Sequence, residues 1–465
     1  MPAPVRRRLN PARALAALTT ALAALLAGCA LAPPQGPLNR PLPPGGAAPL
    51  QPGNDLATRS VVRGDRLLML SFSGGGLRAA AFAAGVLQGL HALQQRDGRP
   101  LLDQVGFISS VSGGSLTAAW FRLHGPQRLP RIRDELLLRD GEHGLRLSLL
   151  NPANLVRLAA GALNDHGTLR HWLDDEVFER ASFADLLTRD GPVVWINATN
   201  LRQGTAFPFH ERSFDALCSD LASLSVADAV AASMAVPLVF EAVQLRSFPD
   251  DCRAPLPAWA DAYGLAFGDT LLRRRLLEAL QDYRNPAGAR RVTLVDGGVG
   301  DNIGLTAIVQ SRWLLDTPAA PLSEADARRL RRLLVLVVDA GQRSPGDDGA
   351  PPARSASDIA LAALNTGIDA NARLSFDAFV PFMAEWRDSI VRWRCAVAAS
   401  QAGCDALQFD LARVAFDDLP AADAARLRRI PTSLRLSAGE VDALLAAGQR
   451  AVRQNPAVQR LLAAP

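Results

Sequence analysis

Hydrophobic and polar positions along the chain switch repeatedly between two periods. Residues 66–72 (RLLMLSF) form a short apolar run ending in glycines, the pattern of a buried strand, and residues 77–93 follow with alanine and leucine at helical spacing. The exchange recurs, with strand patterns at 105–111, 192–198, 291–295 and 333–338 and helical patterns at 115–123, 168–177, 226–235 and 271–283. Alternating strands and helices predict a three-layer α/β domain, a mostly parallel or mixed central sheet flanked by helices. No internal repeat is visible. Residues 344–357 (SPGDDGAPPARSAS) read as a polar loop, and the tail from Leu407, rich in Ala, Leu and Arg, reads as helical packing.

The N-terminus does not fit this pattern. Residues 1–28 combine a basic stretch (Arg6, Arg7, Arg8, Arg13) with an apolar run at 14–24 that is too short for a stable membrane span. Leu26-Ala27-Gly28-Cys29 then places small residues before a cysteine. A signal peptide has this form, and the ending resembles a bacterial lipobox, which implies cleavage before Cys29 and a diacyl anchor on its thiol. An ordinary secretory signal with an incidental cysteine is the alternative. Ala30 is not the aspartate that retains such proteins in the inner membrane, so the expected location is the cell envelope, at the outer membrane. Eight prolines between Pro33 and Pro52 make 29–60 an expected tether, with the folded domain over 61–465.

Removing the leader changes the charge argument. The whole chain of 465 residues carries +4, and the leader holds four arginines and no acid, so the mature chain is about neutral. The basic balance therefore gives no reason to expect nucleic acid. Every basic side chain is arginine, and the absence of lysine excludes a Walker-type phosphate loop. Besides Cys29 there are four cysteines. In an exported chain they predict disulfides, and sequence proximity favours Cys218–Cys252 and Cys395–Cys404 over small buried thiols.

Three segments carry chemistry. Gly74, Gly75 and Gly76 lie between a strand and a helix, where backbone N–H groups and the helix N-terminus can hold a phosphate or an oxyanion. The spacing Gly74-x-Gly76-x-x-Ala79 also fits a dinucleotide fingerprint, but that needs an acid at the end of the next strand. Instead that strand ends in Ser110-Val-Ser-Gly-Gly114. Ser112, with small neighbours on both sides, resembles a nucleophile elbow in which Ser110 replaces the first glycine; a helix-capping serine is the alternative. Asp296-Gly297-Gly298 follows an apolar strand and suits a general base, although the tripeptide alone is an ordinary turn. The last of six histidines is His210, so the order Ser, acid, His fails if Asp296 is the acid. His91, His166 and His210 remain as earlier candidates, each with a simpler role in a helix or loop.

Ser73-Gly-Gly-Gly-Leu-Arg78, Ser110-Val-Ser-Gly-Gly114, Ala232-Ser-Met-Ala-Val-Pro237 and Asp296-Gly-Gly-Val-Gly-Asp-Asn302 stand in the order found in patatin-like phospholipases. The resemblance covers about residues 66–305 and implies the patatin-like fold and a Ser112–Asp296 dyad. It also implies an oxyanion hole from the amides of Gly74, Gly75 and Gly76, and Arg78 holding either the loop or a substrate head group. Gly114, Gly297 and Gly298 support the loops. Ser73 stands where many members have Asp. The implied activity is a phospholipase A- or lysophospholipase-like acyl hydrolase that needs no metal or organic cofactor, with membrane lipid as its substrate. A catalytically inactive lipid- or protein-binding lipoprotein and a general esterase or thioesterase are the rivals. Asp301 and Asn302 are expected to brace the Asp296 loop, Asn197-Ala-Thr199 to be core rather than a glycosylation acceptor, and residues 145–163 to pack or wall a substrate pocket.

Overall fold

The computed structural model describes residues 38–43, 54–143, 145, 162–252, 256–257, 260, 270–315, 317–341, 356–398 and 403–463. Cys29, the leader, residues 342–355 and most of 145–163 lie outside them.

Among the described residues, ten strands and the helices between them give the expected α/β architecture. The strands are β1 (Arg66–Phe72), β2 (Val105–Val111), β3 (Ala162–Asn164), β4 (Val193–Asn200), β5 (Thr205–Pro208), β6 (Leu238–Phe240), β7 (Val243–Arg246), β8 (Arg291–Asp296), β9 (Arg332–Asp339) and β10 (Gln408–Ala415). An eight-stranded sheet runs in the order β10-β9-β1-β2-β4-β8-β7, with β5 on β4; β3 and β6 pair separately. From β10 to β4 the neighbours are parallel, whereas β8 runs antiparallel to β4 and to β7.

Two cores, one on each face of the sheet, explain the unbroken apolar runs in its central strands. Leu68, Leu70 and Phe72 of β1 join one core, while Leu67 and Met69, pointing the other way, join the second. Strand β9 divides likewise, Leu334, Leu336 and Val338 against Leu333, Val335 and Val337. Helices α1 (Gly76–Ala92), α2 (Gly113–Arg128), α3 (Val226–Ser233) and α6 (Ala438–Gln454) cover the first face. The long helix α5 (Ala356–Val397) covers the second with Phe379, Met383, Trp386 and Ile390, and a one-turn helix α4 (Gly298–Asp301) precedes it in the chain. Helices α1 and α6 approach so closely that a Cβ on Gly85 would lie 2.3 Å from the Leu445 carbonyl oxygen.

Two expectations are corrected, and one element was not foreseen. The tail beyond Leu407 begins with a strand, β10, parallel to β9, before turning helical. The 42-residue α5 has no counterpart among the predicted elements. Nor is residue 61 where packing begins. Asn39 donates to Ser219 Oγ (2.8 Å) and to the Arg246 carbonyl (2.7 Å), Asp55 pairs with Arg212 at 2.8 Å, and Leu56 is fully buried, so parts of the expected tether lie on the domain. Both favoured disulfides, Cys218–Cys252 and Cys395–Cys404, are formed. Among the described residues no helix is long and apolar enough to cross a membrane.

Candidate active site

Strand register brings Ser112 and Asp296 together. Val111 of β2 lies opposite Asn197 of β4, so Ser112 comes level with Ala198, and Ala198 is the residue opposite Asp296 on β8. The Ser112 side chain neighbours the Asp296 carboxylate and favours its charged form. Both residues are almost entirely buried, at 6% and 5% exposure.

Ser112 holds φ 48° and ψ −121°, a combination that a non-glycine residue adopts only when its surroundings force it. The sharp strand-to-helix turn is the cause. Here the elbow's neighbours must be minimal: a Cβ on Gly113 would fall 1.9 Å from the Gly76 carbonyl oxygen. Gly114 lies against Phe72 and the Ser73 carbonyl. Ser110, in the position of a glycine, is accommodated because its hydroxyl donates to the Trp195 carbonyl at 2.9 Å. The Ser112 N–H donates to Ser233 Oγ at 2.8 Å.

Asp296 is held from three sides. Its N–H donates to the Ala235 carbonyl (2.9 Å), its carbonyl accepts from Thr199 Oγ1 (2.9 Å), and its Oδ1 accepts the Gly298 N–H at 2.7 Å. Gly297 lies on the Asn197 carbonyl and donates to the Ser233 carbonyl at 3.1 Å. Burial raises the Asp296 carboxyl to about 6, opposed by the Gly298 bond and by Ser112. At neutral pH the group is mostly ionised and still basic.

The glycine loop is built differently from the expectation. Gly74 donates its N–H to the Asn302 carbonyl at 3.0 Å, so that amide is already engaged and is no oxyanion donor. Gly75 (φ 136°) and Gly76 (φ 59°) adopt conformations that disfavour side chains, and among the described residues their N–H groups meet no acceptor. Ser73 accepts the Ala340 N–H at 2.9 Å and donates its own N–H to Val338, tying the loop to β9. Leu77 donates to the Ser433 carbonyl at 2.8 Å.

Arg78 does not face a head group. It is 2% exposed, donates to the Ile430 carbonyl at 2.9 Å, and is lowered to about 10 by burial, against the pull of Asp339 and Asp369. It ties the C-terminal segment to the loop. Asn302 and Asp301 brace their own turn: Asp301 accepts from Ile303 (3.1 Å) and Thr306, while Asn302 Oδ1 lies against both Gly74 and Gly298. Asn197 is buried, donating to Ser109 Oγ (2.8 Å) and the Ser110 carbonyl (2.9 Å). His210 is fully buried, caps a helix by accepting from Ser213 at 3.3 Å, and is lowered to about 3 by burial, which leaves it neutral. His91 is exposed on α1, and the His166 side chain lies outside the described residues. A cavity of about 380 Å³ adjoins the loop through Asn302 and Gly341, walled by Asp339, Asp369 and Arg413, but Ser112 and Asp296 do not line it. Among the described residues no three histidine, cysteine or carboxylate side chains converge as a metal site requires.

The family model of patatin-like phospholipases matches residues 70–309, just over half the chain. The chain belongs to the patatin-like phospholipase family. The matched stretch contains the turn at Ser112, the glycine loop and the Asp-Gly-Gly turn. No curated protein matches this patatin-like chain. Among solved structures, human GIVD cytosolic phospholipase A2 is similar over 58% of this chain and 45% of that one, with 14% identity and a TM-score of 0.31. This chain thus spans under half the length of that protein, and a likeness so distant carries no argument. Ser233, Thr199 and Ser433 were not singled out from the sequence as parts of the site. Ser233 lay in the flagged segment Ala232-Ser-Met-Ala-Val-Pro237 and Thr199 in Asn197-Ala-Thr199, whereas Ser433 lay in no flagged motif.

Proposed function

We propose that this chain is a lipid-anchored serine acylhydrolase that cleaves acyl esters of phospholipids or lysophospholipids with Ser112 as nucleophile and Asp296 as general base. The observation that carries this is the strand register that sets Ser112 beside Asp296, a buried carboxylate raised to about 6. A base of that strength is ionised at neutral pH and takes a proton better than an exposed aspartate. In the first step Ser112 Oγ attacks the ester carbonyl while its proton passes to Asp296. The oxyanion receives the N–H groups of Gly75 and Gly76, a donor of this kind contributing about 3–4 kcal/mol. Collapse expels the alcohol, which takes the proton from Asp296. Water then attacks the acyl-enzyme with Asp296 again as base, releasing the fatty acid and restoring Ser112. The anchor would sit on Cys29 after loss of residues 1–28, with residues beyond it leading from the envelope membrane to the domain.

A fluorophosphonate probe together with lipid product analysis tests this. Wild type should be labelled, Ser112→Ala should not, and phospholipid vesicles should yield free fatty acid. Labelling that survives Ser112→Ala, or a folded protein that takes no label, overturns the proposal in favour of an inactive binding lipoprotein. Turnover of short-chain esters or thioesters without vesicle hydrolysis would assign a general esterase. Mass analysis of the mature N-terminus, beside Cys29→Ser, tests the anchor.

A further inference from the structure

We propose that Ser233 is the positioning residue that sets the distance between the two halves of the dyad, one residue holding the nucleophile's backbone with its hydroxyl and the acid's loop with its carbonyl. This rests on the assignment of Ser112 and Asp296 above.

Ser233 is the last residue of α3, fully buried, where helix carbonyls lack partners within the helix. The Asp296 turn supplies those partners: Gly297 N–H donates to the Ser233 carbonyl at 3.1 Å and Asp296 N–H to the Ala235 carbonyl at 2.9 Å. In the other direction the Ser233 hydroxyl accepts the Ser112 N–H at 2.8 Å and donates to the Asn197 carbonyl at 2.6 Å. A hydroxyl has one proton to give and lone pairs to receive, so these two bonds fix its orientation. Ser115 Oγ lies 3.2 Å away but spends its proton on Ser110 Oγ, which in turn donates to the Trp195 carbonyl.

The strain at Ser112 makes this bond matter. A residue at φ 48° stays there only if neighbouring bonds outweigh its relaxation. The elbow is pinned at the Ser112 carbonyl by its own helix, through the Ser115 N–H at 2.8 Å, and at the Ser112 amide from outside that helix, where Ser233 is the acceptor. Without that acceptor the elbow can rotate and move Oγ away from Asp296. Because the carbonyl of Ser233 is untouched by side-chain substitution, the acid half stays in place. Loss of the hydroxyl therefore impairs the attack of Ser112, and as Oγ leaves Asp296 the carboxyl loses an interaction that opposes burial and rises further.

The test compares wild type, Ser233→Ala, Ser233→Cys and Ser115→Ala for fluorophosphonate labelling rate, kcat, KM, pH profile and melting temperature. A small misplacement of a reacting atom costs up to about a hundredfold. Ser233→Ala should therefore lose about 10- to 100-fold in kcat and labelling rate, with KM unchanged and the acid-limb midpoint moved to higher pH, because Asp296 loses the Ser112 interaction that lowers it. Ser233→Cys keeps the volume but offers a weak acceptor, and should fall in the same direction while folding. Ser115→Ala perturbs the same hydroxyl chain without touching the Ser112 amide, and should keep its rate. Wild-type labelling in a folded Ser233→Ala, or in Ser233→Cys if the alanine variant does not fold, overturns the inference. So does an equal loss in Ser115→Ala. A wild type that takes no label overturns the dyad assignment, and this inference with it.

Discussion

Replacing Asp296 by Asn should make the protein more stable and inactive together. The carboxyl is raised from 3.8 to about 6, first by burial, so the folded chain holds a proton that the unfolded chain has released. Between pH 4 and 6 the native state therefore binds more protons than the unfolded state, and stability falls as pH rises through that window. At 1.36 kcal/mol per pKa unit the shift corresponds to about 3 kcal/mol lost by pH 7. Asn keeps the shape, can still accept the Gly298 N–H through its oxygen, and carries no charge to desolvate. At about 2.1 cal/mol/K per residue, a domain of this size gains roughly 1 °C in Tm per kcal/mol. Asp296→Asn should thus melt about 3 °C above wild type at pH 7, and the gap should close below about pH 4, where both side chains are neutral. Other titrating groups cancel in the difference between the two proteins, so thermal melts of the pair from pH 3.5 to 7.5 isolate this carboxyl. A gap that is absent at pH 7 or flat across the series would refute the reasoning. In the wild type the same group should make kcat/KM fall about tenfold per unit below pH 6, the free enzyme then holding the proton it must accept.

The other predictions test the walls around the dyad. Gly113→Ala would drive a Cβ into the Gly76 carbonyl and peptide nitrogen, at 1.9 and 2.7 Å, both backbone atoms. It should cost about 1–3 kcal/mol by urea denaturation and at least about a hundredfold in labelling rate, because the displaced peptide belongs to the oxyanion loop. Arg78→Met should change Tm through the lost bond to Ile430 but leave the ratio of KM for anionic and zwitterionic lipids unchanged, since the guanidinium is buried away from solvent. A changed ratio would restore a head-group role. Cys218 and Cys252 are 34 residues apart and Cys395 and Cys404 nine, so chain-entropy arguments give about 4 and about 3 kcal/mol for the two bridges. Cys→Ser pairs measured by denaturant midpoint should keep that order.

The site was legible to the extent that its chemistry is local. Glycines at 74–76, small residues around Ser112 and the Asp-Gly-Gly at 296–298 each announce a turn that only such residues can make, and their strands announce themselves by unbroken apolar runs. What was not legible depends on pairing. Gly74 looked like a third oxyanion donor because nothing in the loop shows that Asn302 will claim its amide. Arg78 looked available to a substrate because its burial under Ile430 comes from a segment 352 residues away. Strand β10 escaped notice because it is an edge strand, half exposed and interrupted by Asp410 and Arg413, without the apolar run of a central strand. Helix α5 carries Pro381 inside it, which argues against a helix unless a packed neighbour holds it, as the second core does through Phe379, Met383 and Trp386.

These misses share a cause with a consequence for the family's motifs. Residues 70–309 carry every group assigned to the proposed reaction, yet several groups that hold the glycine loop lie beyond them. Val338 and Ala340 fasten Ser73, Ile430 receives Arg78, and the Ser433 carbonyl takes the Leu77 N–H where the loop becomes helix α1. Helix α6 then clamps α1 through close contacts that Gly85, Gly89 and Gly448 permit. Two adjacent glycines with positive φ have no preference of their own for a conformation that aims their amides at one point. The motif provides the freedom, and the C-terminal third of the chain removes it. The order that an oxyanion site needs before substrate arrives therefore depends on residues that the motifs do not contain.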